Sequence, residues 1–167
     1  AGWVRCICQH ASMTEKEREE FLEVFTEENE DTLIGFCVMG GIFSEGIDLI
    51  GNRLIGVAVV GTGIPQVNCE REILKNYYDA KGEQGFDYAY RYPGMNKVLQ
   101  SAGRVIRTKE DTGTILLMDE RFVSREYQAL FPREWNDAGI CALENVEQQI
   151  GKFWEQRGRQ FQKEKYK

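Results

Sequence analysis

Three short segments of this chain, Thr32–Met39, Leu54–Val60 and Thr114–Met118, are apolar at almost every position. A strand wetted on one face alternates polar and apolar residues, whereas a strand covered on both faces does not. Runs of this kind specify a parallel sheet buried between helical layers, and the segments between them supply the helices. Thr14 and Glu17 stand ahead of Phe21, Leu22, Val24 and Phe25 as a capping box for a helix reaching Thr26. Val67–Ala80 and Tyr88–Arg107 also carry helical patterns. The second is started or interrupted at Pro93-Gly94, where a proline in the first turn costs no hydrogen bond. Residues 3–8 read as a further short strand, and Ser124–Leu130 and Glu144–Arg157 as helices. Strands alternating with helices predict an α/β fold with a mainly parallel sheet. At 167 residues the chain accommodates one such domain, expected over residues 1–158, with a polar tail at 159–167.

No apolar run approaches the roughly 20 residues that cross a membrane, and no basic-then-apolar leader opens the chain. A cytoplasmic protein with no membrane partner is expected. The net charge of −6 argues against a general nucleic-acid coat protein, but the charge is unevenly spread. Residues 14–31 hold nine acids against Lys16 and Arg18. Between Asp87 and Glu110 there is no acid at all, only Arg91, Lys97, Arg104, Arg107 and Lys109. Local sign, not the total, decides where an anion binds. The five cysteines, at 6, 8, 37, 69 and 141, lack CxxC spacing, and His10 is the only histidine. Reduced, buried thiols and no metal site are the expectation.

The basic stretch contains Gln100-Ser-Ala-Gly103-Arg104-Val-Ile-Arg107. If the helix continues through it, Gln100, Arg104 and Arg107 fall on one face, with Leu99, Ala102, Val105 and Ile106 mostly on the core side. Glycine inside a helix costs ~1 kcal/mol relative to alanine, so Gly103 points to the close approach of another backbone or a ligand. Two guanidiniums on such a face suit the charge of a transferring phosphoryl group, although arginines on an amphipathic helix can also simply be solvated. Gly40-Gly41-Ile-Phe-Ser44-Glu45-Gly46-Ile-Asp48-Leu49 leaves the C-terminal end of a strand, where open α/β sheets place their ligands. A tight strand-to-loop turn with capping acids has the same composition. Thr114–Met118 followed by Asp119-Glu120 imitates the strand and acid that hold Mg²⁺ in P-loop ATPases. No GxxxxGK[ST] loop exists in the chain, however, so these acids are expected only to end a core strand beside Arg121. Gly61-Thr62-Gly63 is too short for a dinucleotide fingerprint. Tyr77, Tyr78, Tyr88, Tyr90 and Tyr92 form an aromatic cluster expected to be half-buried rather than stacked on bases.

The order GGIFSEGIDL, QSAGRVIR and GTILLMDERF closely resembles the second motor domain of DinG/XPD-like superfamily 2 DNA helicases. The resemblance covers nearly the whole chain, with Gly40–Leu49 as motif V and Gln100–Arg107 as motif VI. It implies a RecA-like, three-layer αβα sandwich. It also implies ATP and Mg²⁺ shared with a first motor domain that this chain lacks, with any iron–sulfur cluster in that missing part. The segment carrying motif IV is likewise expected upstream of Ala1. By resemblance, Arg107 is the arginine finger, with Arg104 and Gln100 in support, and Gln100 and Gly103 are ATP-binding positions. Glu45, Gly46 and Asp48 link the nucleotide to the strand-gripping surface. Ser44, Thr62 and Gly63 are candidates for contact with the DNA backbone. The expected partners are the first motor domain and single-stranded DNA, travelled 5′→3′, and the isolated chain is expected to hydrolyse no ATP. A non-catalytic helicase-like module that binds nucleic acid or protein is the alternative. Intact Gln100, Arg104, Arg107 and Asp48 speak against it.

Overall fold

Among the described residues four strands pair two by two, both pairs in parallel. In the computed structural model, which describes residues 4–27, 31–43, 49, 51–108 and 110–165, β1 (Val4–Cys8) runs beside β2 (Thr32–Phe36). Strand β3 (Gly56–Val60) runs beside β4 (Thr114–Met118). Parallel neighbours cannot be joined by a hairpin, so each pair needs a crossover. Helix α1 (Glu15–Glu23) makes the first, and α2 (Cys69–Ala80) with α3 (Tyr92–Ala102) the second. The parallel α/β arrangement is the one the apolar runs predict.

The predicted capping box opens α1. Thr14 Oγ1 accepts from the Glu17 N–H at 3.3 Å, and the Thr14 N–H donates to Glu17 Oε2 at 2.7 Å. That backbone hydrogen bond, more than any other contact, holds the Glu17 carboxyl below the usual carboxylate range. Phe21 and Phe25 of this helical segment then meet Met13, Phe43 and Leu49 in one buried cluster, the Phe21 and Phe43 rings stacking at 4.5 Å. The rings press onto β2 at Gly35, where a Cβ would lie 2.8 Å from Phe25 Cζ. Only glycine lets the aromatic pair come that close to the strand.

The expected burial on both faces of this strand pair is not observed. Leu33 packs against the aromatic cluster, while Val4, Ile34 and Phe36 are 57%, 41% and 56% exposed. A continuous apolar run shows that both faces suit burial. Helix α1 covers only one of them. Cys6 and Cys8 differ from the expected burial for the same reason. All five cysteines are free and exposed, and Cys6 and Cys8 stand opposite Ile34 and Phe36 on the uncovered face.

Helix α3 packs on β3, and its Met95, Val98 and Ala102, spaced to share one face, are almost fully buried. It is entered through a π-helical turn at Asp87–Arg91. In an α-helix the Ala89 carbonyl would accept from the N–H of residue 93, but residue 93 is proline. Arg71 of α2 donates instead, Nη1 to Ala89 O at 2.7 Å, and Glu72 accepts from the Tyr90 hydroxyl. The tyrosines stack on one another as expected of a half-buried cluster, with Tyr78 and Tyr88 rings 3.9 Å apart. Tyr77 is the exception, 52% exposed with the Lys81 ammonium over its ring.

The chain divides into two compact units, Ala1–Tyr127 and Gln128–Lys167. The first includes the one-turn helix α4 (Arg125–Gln128) up to Tyr127. The second contains a 3₁₀ turn at Arg133–Trp135, the Phe131–Trp135 ring pair and helix α5 (Val146–Lys165). Helix α5 continues through much of the segment expected to be a polar tail, because Gln160 to Lys165 are mostly good helix formers. Among the described residues no helix is long and apolar enough to cross a membrane.

Candidate functional site

The arginines do not ride on a helix. Helix α3 stops at Ala102, and Gly103 caps it with its N–H bonded to Leu99 O. Bonds of i to i−3 spacing follow, Arg104 N–H to Ser101 O and Val105 N–H to Ala102 O. The shared face expected for Gln100, Arg104 and Arg107 is therefore absent, since only Gln100 is helical. Among the described residues no backbone of another element approaches Gly103: a Cβ there would meet the carbonyls of Leu99 and Gln100 of α3 itself, the first at 3.2 Å. Gln100 and Gly103 are exposed, and Arg104 and Arg107 are half-buried.

Two anchors fix the turn that carries the arginines. Val105 is 3% exposed and inserts its side chain against Gly113, just before β4. Asp111 Oδ2 accepts from the Arg107 N–H at 2.9 Å and from the Thr108 N–H at 2.8 Å. These bonds, the Thr108 one foremost, hold the Asp111 carboxyl below the usual range, and the Gly51 N–H adds to the effect. Asp111 was not singled out from sequence. The available signal was an acid placed three and four residues after the donors, between a basic stretch and a glycine.

The glycine loop of motif V begins at Gly40, whose φ of 74° lies in the left-handed region. A Cβ at Gly40 would come within 3.1 Å of Lys97 Cδ and Cε, so the Lys97 stem lies across the loop entrance from α3. Phe43 and Leu49 are 4% and 6% exposed and tie the two ends of the loop into the aromatic core. Ser44, Glu45, Gly46 and Asp48 lie outside the described residues. Beyond the loop, Asn52 N–H donates to Glu27 Oε1 at 3.1 Å and Arg53 Nε donates to Phe25 O at 2.7 Å.

The loop after β3 is locked to the start of α3. Gly63 has φ 65°, and a Cβ there would lie 2.8 Å from Gly94 O. Reciprocally, a Cβ at Gly94 would lie 2.7 Å from Thr62 O. Thr62 is 1% exposed, with its hydroxyl buried and lacking a hydrogen-bond partner.

Asp119 is committed elsewhere. Arg121 grips both of its oxygens, Nε to Oδ1 at 2.8 Å and Nη2 to Oδ2 at 2.7 Å, and brings the carboxyl down to about 2. A carboxylate so occupied does not imitate a Walker B ligand. Among the described residues no three His, Cys, Asp or Glu side chains converge on a metal position. Lys97 lies beside the entrance of the glycine loop, and Arg104 and Arg107 sit on the turn that follows α3. All three are cations of the kind that receive a phosphate.

The helicase C-terminal domain family matches residues 3–138. The chain belongs to that family. The regulator of telomere elongation helicase 1 homolog of Caenorhabditis elegans is 31% identical over 157 residues, covering 84% of this chain and 15% of that protein. The ATP-dependent DNA helicase DinG of Photobacterium profundum is 34% identical over 89 residues, covering 52% of this chain and 13% of that protein. The chain therefore spans about a seventh of those relatives. A solved XPD helicase overlays with a TM-score of 0.58 at 20% identity, covering 75% of this chain and 22% of that one. An XPD structure without ligand gives 0.60 at 19% identity, covering 75% and 26%. The DinG/XPD-like family and the RecA-like α/β fold follow from these matches.

Proposed function

We propose that this domain is the second motor half of an ATP-dependent DNA helicase, completing a nucleotide site that a first motor domain presents. The observation that carries this reading is the anchored arginine turn in a chain with no phosphate loop of its own. Arg107 is the finger directed at the γ-phosphate, and Arg104 and Gln100 assist it. Guanidiniums stabilise charge that develops on a transferring phosphoryl group, and they do so only when the phosphate is brought to them. Mg²⁺ belongs with the nucleotide on the other domain, consistent with the commitment of Asp119 to Arg121. An iron–sulfur cluster, where one exists, also belongs outside this chain. Glu45, Gly46 and Asp48 of motif V connect the nucleotide to the DNA-gripping surface. Ser44 and the backbone at Thr62 and Gly63 contact single-stranded DNA, along which the motor moves 5′→3′. Contacts of that kind are directed at the backbone, so binding weakens with salt and is largely independent of sequence.

In the full-length protein, Arg107→Ala lowers DNA-stimulated ATP hydrolysis by ~10³–10⁵-fold, while nucleotide binding stays close to wild type. Steady-state hydrolysis assays and fluorescent-nucleotide titrations read the two quantities separately. Undiminished turnover would remove the arginine-finger assignment. Robust turnover by the 167-residue chain alone would remove the half-motor reading.

A further inference from the structure

We propose that Asp111 is a positioning residue for Arg107, holding the arginine turn in place through the main chain; this rests on the arginine-finger reading above.

Arg107 lies five residues beyond the last residue of α3, so the helix does not fix it. A turn that leaves a helix through a glycine has many conformations open to it, and fixing each residue costs backbone entropy. Something must select one conformation. Val105 supplies one anchor, but its buried side chain fixes only a point two residues short of Arg107. Asp111 supplies the other, and it acts on Arg107 directly, through that residue's own N–H at 2.9 Å. The neighbouring Thr108 N–H bonds the same oxygen at 2.8 Å, so the two peptide planes on either side of Arg107 Cα are both constrained. An ionised acceptor makes such bonds about twice as strong as a neutral one.

A misplacement of ~1 Å in a group that stabilises a transition state can cost about 10²-fold in rate. Loss of the Asp111 carboxylate frees the Arg107 main chain to that extent without touching the guanidinium.

The test uses the full-length helicase and four variants: Asp111→Ala, Asp111→Asn, Arg107→Lys and the Asp111→Ala/Arg107→Lys pair. Asp111→Ala should lower kcat for DNA-stimulated hydrolysis roughly 10–100-fold, with KM for ATP within about threefold of wild type. Asp111→Asn keeps an acceptor oxygen and should recover part of the loss. A residue acting only through Arg107 should add little once Arg107 is already compromised, so the paired variant should resemble Arg107→Lys alone. Hydrogen exchange of the peptide spanning residues 103–113 should speed up in both Asp111 variants.

Full additivity in the pair would overturn the proposal, and so would unchanged exchange in Asp111→Ala. If Asp111→Ala fails to fold, Asp111→Asn carries the same comparison of exchange and kcat. Normal turnover by Arg107→Lys together with faster exchange in the Asp111 variants would instead reject the finger reading and leave the main-chain anchor standing.

Discussion

Gly113→Ala tests whether the arginine turn is anchored as described. A Cβ at residue 113 would fall well inside contact distance of Val105 Cγ1 on one side and 2.9 Å from Ile55 O on the other. Neither neighbour gives way easily. Valine is branched at Cβ and stiff at χ1, and Ile55 O is backbone that accepts from the Thr114 N–H at 3.0 Å as the β3–β4 ladder begins. Overpacking of this kind costs ~1–3 kcal/mol, and loosening that hydrogen bond adds about 1 kcal/mol. Replacing glycine restricts the unfolded chain, which returns ~0.4–1 kcal/mol. The expected net loss is ~1–3 kcal/mol, or about 2–12 °C in Tm for a domain of this size. Thermal unfolding followed by circular dichroism measures it. The decisive arm is Val105→Ala in the Gly113→Ala background. Removal of Cγ1 makes room for the new Cβ, so the double variant should be more stable than the sum of the two singles. A Gly113→Ala protein as stable as wild type would refute the reasoning, as would strict additivity.

Two further outcomes follow from local chemistry. Thr14→Ala removes the cap of α1 and should lower stability by ~1 kcal/mol, with Thr14→Ser restoring most of it; equal unfolding midpoints for Ala and wild type would contradict the capping box. Asp119 titrates at about 2 in the folded chain against an ordinary 3.8, so the folded state favours the ionised form. Its contribution is complete above about pH 4 and is lost as the pH falls through about 2. Asp119→Asn should therefore flatten the acid limb of the stability profile in that window, and an unchanged acid midpoint would show that the Arg121 pair does not contribute.

What the sequence disclosed depended on how local the cause was. The Thr14–Glu17 box and the parallel strands each follow from a few adjacent residues or from one apolar run. The end of α3 does not. Val105 is buried and Ala102 is buried, so apolar periodicity runs on past Gly103 as though the helix did, while the chain has already turned. Gly103 has φ −65°, so no left-handed cap announced the stop. Asp111 was illegible for a related reason. It acts on main-chain N–H groups, which any residue offers, so nothing in the identity of its partners marks it. The uncovered faces of Ile34 and Phe36 show the converse limit, because an apolar run states what a strand tolerates and not what lies over it.

The difference between a helix and an anchored turn alters what holds the charge. On a helix, Arg104 and Arg107 would inherit their positions from α3, and a change in either arginine or in the helix would be felt together. On the turn, position and charge are separable. Val105, Gly113 and Asp111 place the main chain, and the guanidiniums supply the cations. Position can then be altered without removing a charge, and charge removed without disturbing the fold. Asp111 acts on the position of Arg107 through main-chain donors alone. Such positioning needs no contact with the guanidiniums, and it is where a mutation outside the charged groups should change turnover with little change in binding.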